Sequence, residues 1–308
     1  MTVSFLGLEL RHPVTNASGT FDALAARAVF GDALLADFPF AAFVTKTVTT
    51  APRQGNPPPR LWELGAGMIN SIGLPNKGVE GFLAEDLPRL AELPVPLVVN
   101  VMGSSPEEVA ALVRAFAERG EVAGLELNVS CPNVKTGLLM GAEPGETAAL
   151  LEAVRPCTDK PLIVKLTPNC AEPAAVAAAA EAHGADAVSL INTVRGTAMH
   201  PGRPGEAWLG GGSGGVSGPA VRAVALAQVR EVRRRVAIPI VGMGGVQSGR
   251  HARDLLDAGA DLVAVGTETF RDPRAGSRIA AELAGIGAKS GTDSGVFTAP
   301  RSDFAHNV

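Results

Sequence analysis

Short apolar runs alternate with longer amphipathic segments along most of the chain. A strand that is buried on both faces is apolar at nearly every position, and such strands are typical of parallel sheets covered by helices. The pattern therefore predicts eight parallel strands. The runs are Pro13–Ala17, Ala42–Thr47, Leu97–Val101, Gly124–Val129, Leu162–Leu166, Ala187–Asn192, Ile238–Val241 and Leu262–Val265.

The segments between the runs carry the start and stop signals of helices. Ser105-Pro106-Glu107-Glu108 offers an N-cap, a first-turn proline and a capping-box glutamate, and Gly120 closes the apolar spacing that follows. Ser248 and Gly259 bound a second such segment. A Gly-x-Gly-x-x-Gly turn, the mark of a dinucleotide-binding open sheet, is missing after the first strand. The alternation therefore predicts an α/β protein, a closed TIM (βα)8 barrel, with residues 1–308 as a single domain.

Two insertions interrupt the alternation. Residues 51–77 are rich in proline and predict a hairpin, and residues 200–218 are rich in glycine and predict an irregular loop. Long irregular segments in a compact domain usually form lids or binding loops, so we expect both insertions at the C-terminal face of the barrel. The polar tail after about residue 288 is expected to be poorly ordered.

Composition and residue spacing argue against several classes of protein. A net charge of -4 without a basic stripe argues against nucleic-acid binding. The N-terminus has no signal-peptide pattern and no apolar run approaches the ~20 residues of a membrane span, which predicts no membrane association. The five histidines and three cysteines show no metal-ligand spacing and no Cys-x-x-Cys, so we expect a reduced, cytoplasmic protein without metal or in-chain iron–sulfur cluster.

Candidate chemistry lies directly after the predicted strands. Active sites of βα barrels are built at these C-terminal strand ends. Polar or ionisable residues follow six strands in succession, and glycines follow the last two. They are Asn16, Ser18, Lys46, Thr47, Asn100, Asn128, Ser130, Cys131, Lys165, Asn192 and Thr193, followed by Gly244, Gly245, Gly266 and Thr267.

These residue types indicate particular chemistry. Glycine turns after strands seven and eight expose backbone N–H groups and predict a phosphate site. Lys46 and Lys165 could stabilise negative charge on a reduced flavin, or one of them could form a Schiff base. Cys131 could act as a general base if its thiol is modestly activated, and the segment after it could close over a substrate.

Several segments, in this order along the chain, resemble class 1 dihydroorotate dehydrogenases. The resemblance extends from about Leu8 to Pro273, and stretches at Gly67–Asn70, Cys131–Lys135 and Gly215–Pro219 look most like class 1B. The segments that carry the family resemblance are Asn16–Gly19, Thr45–Thr47, Gly55–Arg60, Asn70–Asn76, Asn128–Asn133, Val164–Leu166, Ile191–Thr193 and the two glycine turns.

The resemblance implies a flavin enzyme that oxidises dihydroorotate to orotate in de novo pyrimidine synthesis, with Cys131 removing the C5 proton while hydride leaves C6 for flavin N5. It implies FMN bound by Ser18, Lys46, Thr47, Asn100, Asn128, Lys165, Ile191, Gly218, Gly244, Gly245, Gly266 and Thr267. It implies dihydroorotate bound by Lys46, Asn70, Ser71, Ile72, Gly73, Leu74, Asn128, Asn133, Asn192 and Thr193. A homodimer and a separate FAD and iron–sulfur subunit that passes electrons to NAD are further family expectations.

Other functions remain open from the residues alone. A flavoenzyme of the dihydropyrimidine dehydrogenase type would use a similar domain and a loop cysteine to act on uracil or thymine. A Schiff-base lyase or a phosphosugar isomerase would use the same barrel and one lysine, and a non-catalytic barrel would use the phosphate site alone. The segment Arg195–Ser213 departs from the family pattern, which leaves the electron acceptor open.

Overall fold

The protein is described by a computed structural model that covers residues 2–130 and 141–290. The strands of the described residues are β1 (Val3–Phe5), β2 (Leu8–Leu10), β3 (Val14–Asn16), β4 (Phe43–Val44), β5 (Leu61–Leu64), β6 (Gly67–Asn70), β7 (Leu97–Val101), β8 (Gly124–Asn128), β9 (Leu162–Lys165), β10 (Ala187–Leu190), β11 (Val194–Gly196), β12 (Gly214–Ser217), β13 (Ile240–Met243) and β14 (Leu262–Val265).

Helices follow most of the barrel strands. They are α1 (Ala23–Phe30), α2 (Ala33–Ala36), α3 (Gly78–Gly81), α4 (Leu87–Leu90), α5 (Pro106–Ala117), α6 (Pro144–Val154), α7 (Pro173–Ala182), α8 (Arg222–Arg233), α9 (Gly249–Asp257) and α10 (Ala275–Ser290). A π-helical turn at Phe82–Asp86 joins α3 to α4, and 3-10 turns lie at Arg155–Cys157, Pro219–Val221 and Thr267–Phe270. No helix in the described ranges is both long enough and apolar enough to cross a bilayer.

The eight predicted strands form one parallel sheet in the order β3-β14-β13-β10-β9-β8-β7-β4. This arrangement confirms the predicted barrel, and the predicted strand bounds differ from the observed ones by only a few residues. The predicted N-caps are confirmed too: Ser105 Oγ accepts from the Glu108 amide at the start of α5, and Ser248 Oγ accepts from the His251 amide at the start of α9. Parallel strands of this kind bring all eight C-terminal ends to one face.

The first and last strands of the sheet are joined partly by a side chain. The Ala41 amide donates to the Val14 carbonyl at 3.0 Å, which is a backbone bond between the β3 and β4 segments. Beyond it, the fully buried Asn16 donates through Nδ2 to the Val44 carbonyl and accepts through Oδ1 from the Val44 amide, both at 2.8 Å. The Asn16 carboxamide thus replaces a pair of sheet hydrogen bonds where the barrel closes.

Replacing Asn16 by alanine should therefore destabilise the fold. The substitution leaves the buried amide and carbonyl of Val44 without partners. We therefore expect the free energy of unfolding to fall by about 2–4 kcal/mol. Urea unfolding followed by circular dichroism measures the change. The control is Thr15→Val, which removes one bond to the Ala42 carbonyl and should cost about 1 kcal/mol. Equal losses in the two variants would contradict the role of Asn16 in closure.

A short N-terminal hairpin was not anticipated. Strands β1 and β2 pair through a turn at Leu6-Gly7, and Phe5 and Leu10 are buried in a cluster with barrel residues that include Val98. The hairpin thereby covers the N-terminal end of the barrel interior. Its signal in the sequence is weak, since each strand has only three residues.

A second, four-stranded antiparallel sheet in the order β11-β12-β6-β5 covers the opposite end. The hairpin predicted within residues 51–77 is confirmed as β5 and β6. The prediction that residues 200–218 are irregular is wrong for β12, which pairs with β6 and β11. The glycines there allow close approach: a Cβ on Gly214 would lie 2.2 Å from the Asn70 carbonyl oxygen, and one on Gly215 would lie 1.9 Å from Thr193 Oγ1.

Candidate active site

A cavity of about 950 Å³ lies at the C-terminal ends of the barrel strands, beneath β5, β6 and β12. Its size is that of a site for a cofactor or a cofactor with a small substrate. Most of the predicted site residues line it. They are Ser18, Lys46, Thr47, Asn70, Ile72, Gly73, Leu74, Asn128, Lys165, Ile191, Asn192, Thr193, Gly218, Gly244, Gly245, Gly266 and Thr267.

Four predicted residues are not among those that line the cavity. Cys131 and Asn133 lie outside the described residues. Ser71 is fully buried, and its hydroxyl accepts from Asn56 Nδ2 at 2.9 Å. Asn100 is also fully buried, in the barrel interior.

Backbone amides at one end of the cavity have no acceptor. Within the described part of the chain, the N–H groups of Gly244, Gly245 and Gly266 make no hydrogen bond. Gly245 has φ of 70°, and a Cβ there would lie 2.7 Å from the Arg222 Cβ. A 3-10 turn begins at Thr267, directly after Gly266. Open amides beside helical N-termini are the arrangement that binds a phosphate group.

Lys165 lines the cavity from the end of β9. Its side chain is buried, with 5% exposure, and no described residue supplies an anion or another partner to its ammonium group. A buried cation without a partner is costly, so this position favours a ligand that brings negative charge or carbonyl oxygens.

Lys46 has a partner that the sequence did not reveal. Its Nζ lies 2.6 Å from Asp22 Oδ2, and both side chains are about half exposed. Asp22 also caps α1 by accepting from the Ala25 amide. Burial acts to raise the pKa of Asp22, but the hydrogen bonds from Lys46 and Ala25 outweigh it and the pKa is lowered. Exposed ion pairs contribute little, so a ligand carboxylate can replace Asp22 beside Lys46 at small cost.

Asn100 is held by a buried carboxylate that the sequence reasoning missed. Asn100 Nδ2 donates to Glu126 Oε1 at 2.6 Å, and Ser189 Oγ donates to Glu126 Oε2 at 2.7 Å. Asn100 Oδ1 is buried and has no partner among the described residues. The available signal was a glutamate between Leu125 and Leu127 in an otherwise apolar run.

These features fit the flavin mononucleotide that the resemblance implies. The open amides and glycines offer a place for its phosphate, and Gly245 has no room for a side chain there. Lys165 offers a cation for the electron-rich edge of a flavin ring.

Aromatic and charged residues border the cavity beneath the antiparallel sheet. Trp62 lines the cavity and packs on Trp208, with ring centroids 4.7 Å apart. Arg271, also a lining residue, pairs with Glu63 of β5 at 2.8 Å. Trp208 belongs to the segment Arg195–Ser213 that departs from the family pattern, so this segment contributes to the cover of the cavity.

Comparisons with known proteins agree on one family. A family profile described as "Dihydroorotate dehydrogenase" matches residues 1–286. A relative from Pelobacter propionicus, named "Dihydroorotate dehydrogenase B (NAD(+)), catalytic subunit", is 46% identical over 281 residues, which are 91% of each chain. A relative from Solibacter usitatus, named "Putative dihydroorotate dehydrogenase A (fumarate)", is 43% identical over 284 residues, 92% of each chain.

A solved structure shows the same fold. It is a DHODH from Eimeria tenella in complex with ferulenol, which superposes with a TM-score of 0.77 and covers 94% of this chain and 85% of its own. Because the two sequences are only 22% identical, this superposition shows a common fold and nothing beyond it.

Proposed function

The chain belongs to the dihydroorotate dehydrogenase family, and we propose that its cavity binds FMN and dihydroorotate next to each other, with Cys131 as the catalytic base. Members of this family are oxidoreductases that convert dihydroorotate to orotate in pyrimidine biosynthesis, and this chain has that activity. The observation that carries the cofactor assignment is a single cavity in which three backbone amides and the Lys165 ammonium group have no partner among the described residues.

Different residues of the cavity would bind different parts of the cofactor. Gly244, Gly245 and Gly266 would donate their amides to the phosphate, assisted by the N-terminus of the turn at Thr267. Lys165 would stabilise negative charge on the ring. When bound, FMN supplies the acceptor for the hydride that leaves C6 of dihydroorotate.

The substrate would lie on the side of the cavity formed by Asn70, Asn128 and Asn192. Carboxamides suit a pyrimidine ring because they offer both donors and acceptors. Lys46 would exchange Asp22 for the substrate carboxylate, and the two ion pairs have similar chemistry.

Cys131 would take the proton from C5. It directly follows Ser130, whose hydroxyl is hydrogen-bonded to the cavity residues Asn128 and Asn192. Cys131 is therefore one residue along the chain from a side chain that contacts two residues of the cavity wall. A free thiol has a pKa of about 8.5, so a modestly activated cysteine can serve as a base near neutral pH.

We further propose the class 1B arrangement, in which electrons pass to NAD through a separate subunit with FAD and an iron–sulfur cluster, and this chain forms a homodimer. The name of the Pelobacter propionicus relative supports a separate subunit, and the sequence has no cysteine pattern for its own cluster. The name of the Solibacter usitatus relative supports fumarate as the competing acceptor.

Anaerobic mixing of the flavin-loaded protein with dihydroorotate tests the assignment. We expect flavin absorbance near 450 nm to bleach, as oxidation of dihydroorotate reduces the flavin. Dihydrouracil, which lacks the carboxylate, is the matched control and should reduce the flavin much more slowly. Faster bleaching by dihydrouracil would favour the dihydropyrimidine alternative. A protein that cannot be loaded with FMN, and that is trapped by borohydride with a carbonyl substrate, would favour the Schiff-base alternative.

Adding acceptors to the reduced chain tests the subtype. Without a partner subunit, NAD should reoxidise the flavin slowly, and fumarate should reoxidise it no faster than NAD does. Rapid turnover with fumarate would contradict the class 1B proposal.

A further inference from the structure

A chain of hydrogen bonds crosses the C-terminal face of the barrel from β10 to β4. The Thr193 amide donates to Asn192 Oδ1 at 2.7 Å, and Asn192 Nδ2 donates to Ser130 Oγ at 2.6 Å. Ser130 Oγ donates to Asn128 Oδ1 at 2.9 Å, and Asn128 Nδ2 donates to Thr47 Oγ1 at 3.1 Å. Four side chains from the ends of three strands are thereby linked.

The direction of this chain follows from its first bond. A backbone amide can only donate, so the Asn192 oxygen must face Thr193 and the Asn192 amide group must face Ser130. The Ser130 hydroxyl then accepts that bond and has its single hydrogen left for Asn128. Asn128 therefore presents its oxygen to Ser130 and its amide group to Thr47.

This direction leaves defined hydrogens for a ligand. One N–H of Asn192, one N–H of Asn128 and the Thr47 hydroxyl hydrogen have no acceptor among the described residues. All three residues line the cavity, whereas the fully buried Ser130 is not among the lining residues. That side of the cavity consequently offers donors, which match carbonyl or carboxylate oxygens.

We propose that Ser130 is a positioning residue: it passes the direction set at Asn192 on to Asn128 and holds the Asn128 carboxamide as a hydrogen-bond donor toward the oxygen atoms of the substrate. The inference rests on the proposed function for the identity of that substrate. Its physical basis is that a hydroxyl accepts one bond and donates another, so it transmits the orientation set by the Thr193 amide. Without the hydroxyl, the Asn128 carboxamide could turn and present its oxygen to the oxygens of the ligand, which would repel it.

Ser130→Ala tests the proposal, with Thr15→Val as the matched control. Thr15 is also buried in the barrel, but its hydroxyl bonds the Ala42 carbonyl, and Thr15 is not among the residues that line the cavity. Orotate affinity is read from the change in the flavin spectrum, and thermal unfolding is measured in parallel. We expect Ser130→Ala to weaken orotate binding and raise KM about tenfold with a smaller change in kcat, and Thr15→Val to stay within about twofold at a comparable loss of stability.

A double-mutant cycle identifies the residue through which Ser130 acts. In an Asn128→Ala background saturated with FMN, adding Ser130→Ala should change orotate affinity by less than about twofold, because the group that it orients is gone. A full additional tenfold loss, or equal effects of Ser130→Ala and Thr15→Val in the parent protein, would overturn the proposal.

Neutron diffraction from a deuterated crystal gives a readout independent of substrate and activity. We expect the Ser130 deuteron between Oγ and Asn128 Oδ1, and two deuterons on the Asn192 atom that faces Ser130. A Ser130 deuteron directed at Asn192 would overturn the inference even if dihydroorotate bleaches the flavin. If dihydroorotate does not bleach the flavin but the deuterons lie as expected, the proposed function fails and the donor orientation stands.

Discussion

Replacing Cys131 by serine will lower the rate of flavin reduction by dihydroorotate about 100- to 1,000-fold at pH 7, while FMN remains bound. A hydroxyl is a far weaker base than a thiol whose ordinary pKa is about 8.5, so the variant has almost no deprotonated form near neutrality. Anaerobic stopped-flow absorbance measures the rate. In the parent protein the rate should rise with pH, because only the deprotonated thiol accepts a proton, and in the variant the rise should shift to higher pH.

The two other cysteines are controls for this result. Cys157 and Cys170 are half-buried and are not among the residues that line the cavity. Burial raises the pKa of the Cys170 thiol, which makes it a poor base at neutral pH. In Cys157→Ser and in Cys170→Ser, the rate of flavin reduction by dihydroorotate should stay within about twofold of the parent rate. Full activity of Cys131→Ser would remove Cys131 from the mechanism.

The second large effect is expected from Gly245→Asp, which should abolish FMN retention. A carboxylate at this position would lie against the phosphate, and like charges at close range repel each other. The backbone contributes as well, since φ is 70° and a Cβ would lie 2.7 Å from the Arg222 Cβ and 3.0 Å from the Gly218 carbonyl oxygen. The measurement is the ratio of flavin to protein after gel filtration, with circular dichroism to establish folding.

Gly245→Asn separates charge from strain. Asparagine has nearly the same size as aspartate, carries no charge and tolerates positive φ. We expect the asparagine variant to retain partial FMN, and the dissociation constant of the aspartate variant to be at least about 100-fold higher than that of the parent. A folded Gly245→Asp variant with full flavin content would show that the phosphate binds elsewhere.

The barrel could be predicted from the sequence because its signals are local. A strand buried on both faces is apolar at nearly every position, and this composition can be recognised in four residues, as at Leu262–Val265. Once the strands are assigned, parallel order places the residues after each of them at one face, so Lys46, Asn128 and Lys165 could be assigned to one site. Eleven of the seventeen predicted residues that line the cavity follow strands in this way, and the other six were predicted from the family resemblance.

The features that only the tertiary structure decided depend on partners that are distant in sequence. Glycine indicates a turn locally, yet Gly214 permits strand pairing because the Asn70 carbonyl lies where its Cβ would be. The partner of Lys46 is Asp22, and the partner of Glu126 is Asn100, and neither pair has a spacing that a sequence pattern could reveal.

The orientation of the asparagines is the clearest case. The residue types at 128, 130 and 192 follow from the sequence, but each carboxamide can turn either way in isolation. The Thr193 amide, which can only donate, orients the carboxamide of the preceding residue Asn192 at 2.7 Å. Only the folded chain brings Asn192 to Ser130 and Asn128 to Thr47, and so passes this direction on to the Asn128 carboxamide. Local composition determines where the strands and their polar ends lie, whereas the hydrogen bonds that orient Asn128 form only when distant strand ends meet.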